Sequence, residues 1–157
     1  MKKNKNYFKY NKLEDLACII GHLGLIPFIF SVLGIWFFSE KYHATLQFSF
    51  LFYLSLIITF LSSVYWGIAI ISRNRKINST IIILSIIPII FLYLINLINL
   101  EPYILLSLYL ILLNLIYVIE KCYKKLTGLP DWYIILRGRL NFFLSILIII
   151  FIYKLNF

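Results

Sequence analysis

The chain has 157 residues, 62% of them hydrophobic, with a mean hydropathy of +0.94 and a formal charge of +9. A chain this apolar has too few polar residues to coat a water-soluble domain, so the solvent it is built for is a lipid bilayer. Its fifteen Lys and Arg fall in short segments between apolar runs and not along one basic face, which excludes the electrostatic footprint of a nucleic-acid-binding protein.

In chain order, residues 1–15 (MKKNKNYFKYNKLED) form a basic segment, and an apolar run begins at Leu16. That run is too long for a signal peptide and no small-x-small pattern closes it, so it is expected to be an uncleaved first span over residues 16–38. Further spans are expected at about 46–71, 79–100, 102–119 and 132–153. Asn99-Leu100-Glu101-Pro102 makes a tight turn that predicts an antiparallel hairpin of spans three and four.

The last span is set by length. The uninterrupted run Leu140 to Tyr153 covers roughly 21 Å of helix, short of a hydrocarbon core of about 30 Å. Starting at Trp132 gives roughly 33 Å, with Pro130 and Asp131 suited to a helix N-terminus. Arg137 and Arg139 then lie one to two turns inside the span, where each either snorkels to the headgroups or is held by a partner in the bundle.

The predicted fold class is therefore all-α, a polytopic membrane protein with a bundle of five transmembrane helices as a single domain over 16–157. Orientation follows from the flanking cations: thirteen Lys and Arg lie on the side of the N-terminus, of the loop after span two (Arg73, Arg75, Lys76) and of the segment 121–139. Only Lys41 and Lys154 lie on the other side. The N-terminus is expected in the cytoplasm and the C-terminus outside. Cys18 and Cys122 then share the cytoplasmic side, where no disulfide is expected. Trp36, Tyr42, Trp66, Tyr103, Trp132, Tyr133 and Tyr153 fall near the interfaces, as aromatic belts do. Five spans do not divide into the two halves of an inverted-repeat transporter.

Several polar or small residues inside the spans have two readings. Thr59, Ser63 and Gly67 recur every four residues and are expected to be a helix-packing ridge. Ser55, Thr59, Ser62 and Trp66 could line a groove, although hydroxyls also bond their own helix carbonyls. Gly21, Gly24 and Pro27, and Pro88 in span three, are sites for kinks or close helix packing. His22, Asn96, Asn114 and Asn141 read as hydrogen-bonding side chains within the bundle. Glu120 closes span four on the side of Arg137, and two readings stay open there: a tie between spans four and five, or an anion or headgroup site with Arg137 as its cation. No HExxH, GxSxG or P-loop occurs, and all six carboxylates are expected at span ends or in loops, so no catalytic site, metal site, cofactor or proton relay is expected.

Four pieces of the chain, in order, carry a resemblance: GLIPF (Gly24 to Phe28), FLSSVYWG (Phe60 to Gly67), SIIPII around Pro88, and LPDWYIILRGRLN (Leu129 to Asn141). They resemble the transmembrane-protein-69-like family, also called domain-of-unknown-function family 3429, of bacterial and mitochondrial membrane proteins. The second piece is similar to that family's FLGGxxWG and the fourth to its LPxWYxxLRxxLT. Tyr65 stands where many relatives have His, Ser62 and Ser63 replace glycines, Glu120 stands where Asp is usual, and Asn141 replaces Thr. The resemblance implies a membrane location and no established activity.

Placed on the topology, Pro27, Trp66, Gly67, Glu120, Pro130, Trp132, Tyr133, Arg137 and Asn141 fall in the cytoplasmic half. The expectation is a pocket or docking surface there, formed by Arg137, Glu120, Trp132, Tyr133, Trp66 and Asn141. The function expected is a non-enzymatic inner-membrane scaffold or accessory protein, in a bacterium or a mitochondrion, that binds a partner, lipid or quinone-like ligand. A membrane-protein partner or a homo-oligomer fits this reading. A small transporter or channel is the first alternative, and a membrane enzyme acting on lipid headgroups or isoprenoids through Glu120 or Arg137 the second.

Overall fold

A computed structural model describes residues 5–71, 75–98 and 100–156. Lys2, Lys3, Arg73 and Asn99, used above for orientation and for the tight turn, lie outside the described residues. The described chain is helical throughout: α1 (Lys5–Leu23), α2 (Ile26–Phe37), a 3-10 turn (Glu40–Tyr42), α3 (His43–Ile71), α4 (Arg75–Leu97), α5 (Pro102–Thr127) and α6 (Asp131–Asn156). Five stretches, Lys12–Phe37, Glu40–Ile70, Ser79–Leu97, Pro102–Lys124 and Asp131–Asn156, are long and apolar enough to cross a membrane. Large apolar side chains such as Ile70 and Phe48, 72% and 69% exposed, face outward along these spans. In water such a surface would aggregate; against acyl chains it costs nothing.

The first span is not one helix, as expected, but two. Gly24 and Leu25 form a turn, and Pro27 sits in the first turn of α2, where its missing N–H and fixed φ are tolerated. A carbonyl released inside lipid needs a new donor, and Tyr53 Oη donates to Gly24 O at 3.2 Å. The next residue, Phe28, packs its ring on Phe50 (5.1 Å) and Tyr53 (4.8 Å), and Phe50 stacks on Phe151 (4.3 Å). These contacts draw Pro27 toward the end of the bundle that carries Trp36 and Lys154, away from Glu120 and Arg137, so Pro27 is not part of the grouping expected for it.

Packing is decided by which face of each helix repeats. Along α6 the buried residues Ile134, Arg137, Asn141, Leu144, Ile148 and Phe151 alternate spacings of three and four, a narrow seam like that of a coiled coil. The seam packs on α5, with α1 and α2 also against α6. Helix α3 lies opposite, in contact with α2, α4 and α5. The expected hairpin of spans three and four is loose: α4 buries Ile81, Ser85, Pro88, Leu92 and Ile95 mainly along α3 and touches α5 little. Asn96 Nδ2 donating to Tyr109 Oη at 2.6 Å ties α4 to α5 near their turn.

Two more expectations change. Glu120 does not close the fourth span: α5 runs on to Thr127 and ends at Gly128, whose φ of 67° is the left-handed conformation that glycine adopts freely at a helix C-terminus. The Thr59, Ser63, Gly67 ridge does not pack within the chain. Ser63 and Gly67 are exposed, a Cβ on Gly67 would meet nothing within 4 Å, and the packed face of α3 is Ile58, Ser62, Tyr65 and Ala69.

Candidate binding site

The α5–α6 connection sets the site. From Gly128 back to Glu120 is roughly 12 Å of helix, and from Asp131 forward to Arg137 roughly 9 Å, so the two side chains arrive at similar depth on facing helices. An ion pair between Lys124 and Asp131 clamps the connection above them. Arg137 Nε donates to Glu120 Oε2 at 3.0 Å, and the pair is closed off: Glu120 is 0% exposed and Arg137 6%. Arg139, one face round the helix, is exposed. Of the two arginines placed within the last span, one is therefore held by a partner and the other reaches out.

What lets α6 come this close is Gly138. A Cβ there would lie 2.5 Å from Tyr117 Oη, so any other residue would push the tyrosine or the helix away. Below the ion pair the seam stays polar for two turns. Asn141 Nδ2 donates to Asn114 Oδ1 at 2.8 Å, and Asn114 Nδ2 reaches Leu110 O at 2.9 Å and Ser145 Oγ at 3.2 Å. The ladder ends at Ser145; Ile148 and Phe151 beyond it are fully buried and apolar.

Around the pair, polar atoms are buried without hydrogen bonds. They are Tyr65 Oη from α3, Glu120 Oε1 from α5, and Tyr133 Oη, Arg137 Nη2 and Asn141 Oδ1 from α6. Tyr133 lies one turn before Arg137 on α6, which puts its buried hydroxyl on the side of the pair. Buried polar atoms are nearly always satisfied, because each unpaired one costs about 1–3 kcal/mol. The five come from three helices, with those on α6 spread over about two turns from Tyr133 to Asn141; three can donate and two can only accept.

A family model described as protein of unknown function (DUF3429) matches residues 13–153. The chain belongs to the DUF3429 family. No curated protein and no solved structure matches it. The match runs through all five spans of this DUF3429 protein, and its multi-pass membrane character follows from those spans.

The structure brings together Glu120, Arg137, Tyr133 and Asn141 of the residues singled out in the sequence. Trp132 stands at the edge, its ring edge-on to Tyr133 at 6.1 Å. Trp66 does not join them: it is 48% exposed on the outer face of α3, because it follows Tyr65 by one residue and helical geometry turns it about 100° away. Tyr133 is no belt residue, since its hydroxyl is buried, whereas Trp36 and Tyr42 do carry Lys154 and Lys41 over their rings at 5.3 and 4.8 Å. The groove suggested on α3 is spent on its own backbone: Ser55, Thr59, Ser62 and Ser63 each donate to a carbonyl three or four residues back at 2.7–2.9 Å. His22 likewise bonds Cys18 O at 2.7 Å. Tyr65 and Gly138 belong to the site and sequence reasoning missed both. Tyr65 had one signal, the His that the family resemblance implies at its position; Gly138 had only its smallness between two arginines.

Proposed function

We propose that this DUF3429 protein is a non-enzymatic scaffold or accessory protein of an inner membrane, bacterial or mitochondrial, that binds a partner, lipid or quinone-like ligand in its cytoplasmic half. The observation that carries this reading is the convergence of unpartnered polar atoms from α3, α5 and α6 on a buried ion pair. Leaving them empty costs folding free energy, and a ligand that satisfies them recovers it on binding. Transport is the weaker reading because the polar seam of α6 stops at Ser145, and Ile148 and Phe151 beyond it are buried and apolar.

Native mass spectrometry of protein purified in mild detergent from its own host, wild type beside the double variant Tyr65→Phe/Tyr133→Phe, tests this. These substitutions remove two unbonded hydroxyls and leave the packing rings. A small bound mass present in the wild type and lost in the variant supports a ligand site, and a co-purifying protein supports the accessory role. A bare monomer in both overturns the reading.

The orientation in this proposal places the α5–α6 connection in the cytoplasm. Cys122 is exposed near that connection. In intact cells or mitoplasts of a Cys18→Ser variant, a membrane-impermeant thiol reagent is expected to label Cys122 only after the membrane is opened. Labelling before opening reverses the topology.

A further inference from the structure

The opposite end of the bundle carries a concave site of its own. A crevice of about 400 Å³ lies where α2 turns into α3, lined by Phe30, Phe38, Tyr42, Thr45 and Leu46. That is within the range of small-molecule sites, about 300–1,000 Å³. Its shape starts from Gly34, one turn after Phe30 and one turn before Phe38. A Cβ on Gly34 would lie 2.9 Å from Leu46 Cδ1 and 3.3 Å from Phe38 Cδ2, so glycine there lets Leu46 and the Phe38 ring close on α2. The walls then pack ring to ring: Phe38 stands edge-on to Phe30 at 5.9 Å and to Tyr42 at 6.4 Å. All three rings are exposed, so the crevice opens to the bilayer as it stands, with no helix having to move.

We propose that this crevice binds one glycerophospholipid of the leaflet opposite the ion pair, its phosphate on Lys41 and an acyl chain along Phe30, Phe38 and Leu46. The polarity of the walls runs the way a phospholipid does. Tyr42 and Thr45, the lining residues with hydroxyls, come from the connection and the first turn of α3 at the membrane surface, while Phe30 lies two turns back along α2, at acyl depth. Charge selects the phosphate. Lys41 Nζ stands over the Tyr42 ring, 4.8 Å from its centroid, which holds the ammonium at the mouth of the crevice. Among the described residues no carboxylate forms an ion pair with it, so its three hydrogens are left for phosphate oxygens. The other cation at this end, Lys154, stands over Trp36, which does not line the crevice. A second protein chain is the weaker occupant, because a helix with its side chains is about 10–12 Å across, more than a crevice of this volume admits. The site is separate from the cytoplasmic-half reading above and does not rest on it.

The test uses delipidated full-length protein in mild detergent, titrated with phosphatidylethanolamine or phosphatidylglycerol and read by native mass spectrometry, with diacylglycerol as the phosphate-free control. The expected result is one adduct that saturates ahead of the statistical series with either phospholipid and is missing with diacylglycerol. Its dissociation constant should rise about tenfold in Lys41→Ala, the value of one charge-assisted contact, and stay unchanged in Lys154→Ala. Thr45→Trp, at an exposed position, fills the crevice and should abolish the adduct. If Thr45→Trp fails to fold, Phe30→Ala, which removes an exposed wall, is expected to weaken binding several-fold. A purely statistical series in the wild type overturns the site, and so does full binding in Thr45→Trp. Diacylglycerol bound as tightly as the phospholipids, or equal affinity in Lys41→Ala, overturns the placement of the phosphate. An equal loss in Lys154→Ala replaces the site by general surface charge, and a dimer that Thr45→Trp abolishes replaces the lipid by a second copy of the chain. The Tyr65→Phe/Tyr133→Phe variant should keep this adduct, which separates the result from the test of the cytoplasmic half.

Discussion

The two ends of the bundle are held in different ways. Toward Trp36 and Lys154, Phe28, Phe50, Leu54, Leu106, Ile148 and Phe151 are all buried to within 1% and interlock as rings and branched aliphatics, and the one phenol among them, Tyr109, has its partner in Asn96. Toward the α5–α6 connection the core holds a full ion pair, two phenols and an amide, and five of their atoms lack a hydrogen bond. At the first end one described buried side-chain atom, His43 Nε2 at the start of α3, lacks a hydrogen bond, and the rest of the core is packed rings and aliphatics. The second carries unmet hydrogen-bonding capacity, which is a cost to folding and an opportunity for binding. In lipid, where neighbouring helices and acyl chains are equally apolar, dispersion and hydrogen bonds decide association, and the bundle uses mainly one at each end.

The comparison breaks most sharply at Arg137. Arg137→Ala strands the buried Glu120 carboxylate and is expected to cost about 3–5 kcal/mol in unfolding measured in detergent, and Glu120→Gln added to it should restore most of the loss. A loss below about 1 kcal/mol would mean that the pair is hydrated, and a large loss that Glu120→Gln does not rescue would place the cost in the packing of Arg137 and not in a stranded carboxylate. That size of effect also makes Arg137→Ala a poor test of binding, because a fold change would accompany any loss of ligand.

A smaller effect is expected at Gly138. Gly138→Ala drives a methyl into Tyr117 and should destabilise by about 1–3 kcal/mol, the range for overpacking, read as a lower unfolding temperature. No change would show that α5 and α6 can separate there without penalty. At the apolar end the smallest change is expected: Ile148→Val removes one methylene from a fully buried site and should cost about 0.5–1.5 kcal/mol, and should leave the binding proposed for the other end unchanged. An altered ligand affinity in Ile148→Val would mean that the two ends are coupled, and the contrast drawn between them would fall.

Much of this was legible in one dimension. Composition and run length establish five spans and a membrane as solvent; the shortness of Leu140 to Tyr153 places the start of the last span at Trp132, one residue inside the observed start of α6 at Asp131; and four short motifs point to the DUF3429 family. These follow because hydropathy reads depth along the bilayer normal, and depth is what an apolar run encodes. Which way a lipid-embedded residue faces was not legible. The alternation of polar and apolar residues that marks the inner face of a soluble helix is absent where lipid and protein interior are equally apolar, so Trp66 and Gly67 could be taken for site residues and Tyr65 overlooked. Only the tertiary structure decides that Glu120 meets Arg137, that span one breaks at Gly24, and that α4 lies along α3, because each depends on rotation about a helix axis and on the close fit of side chains.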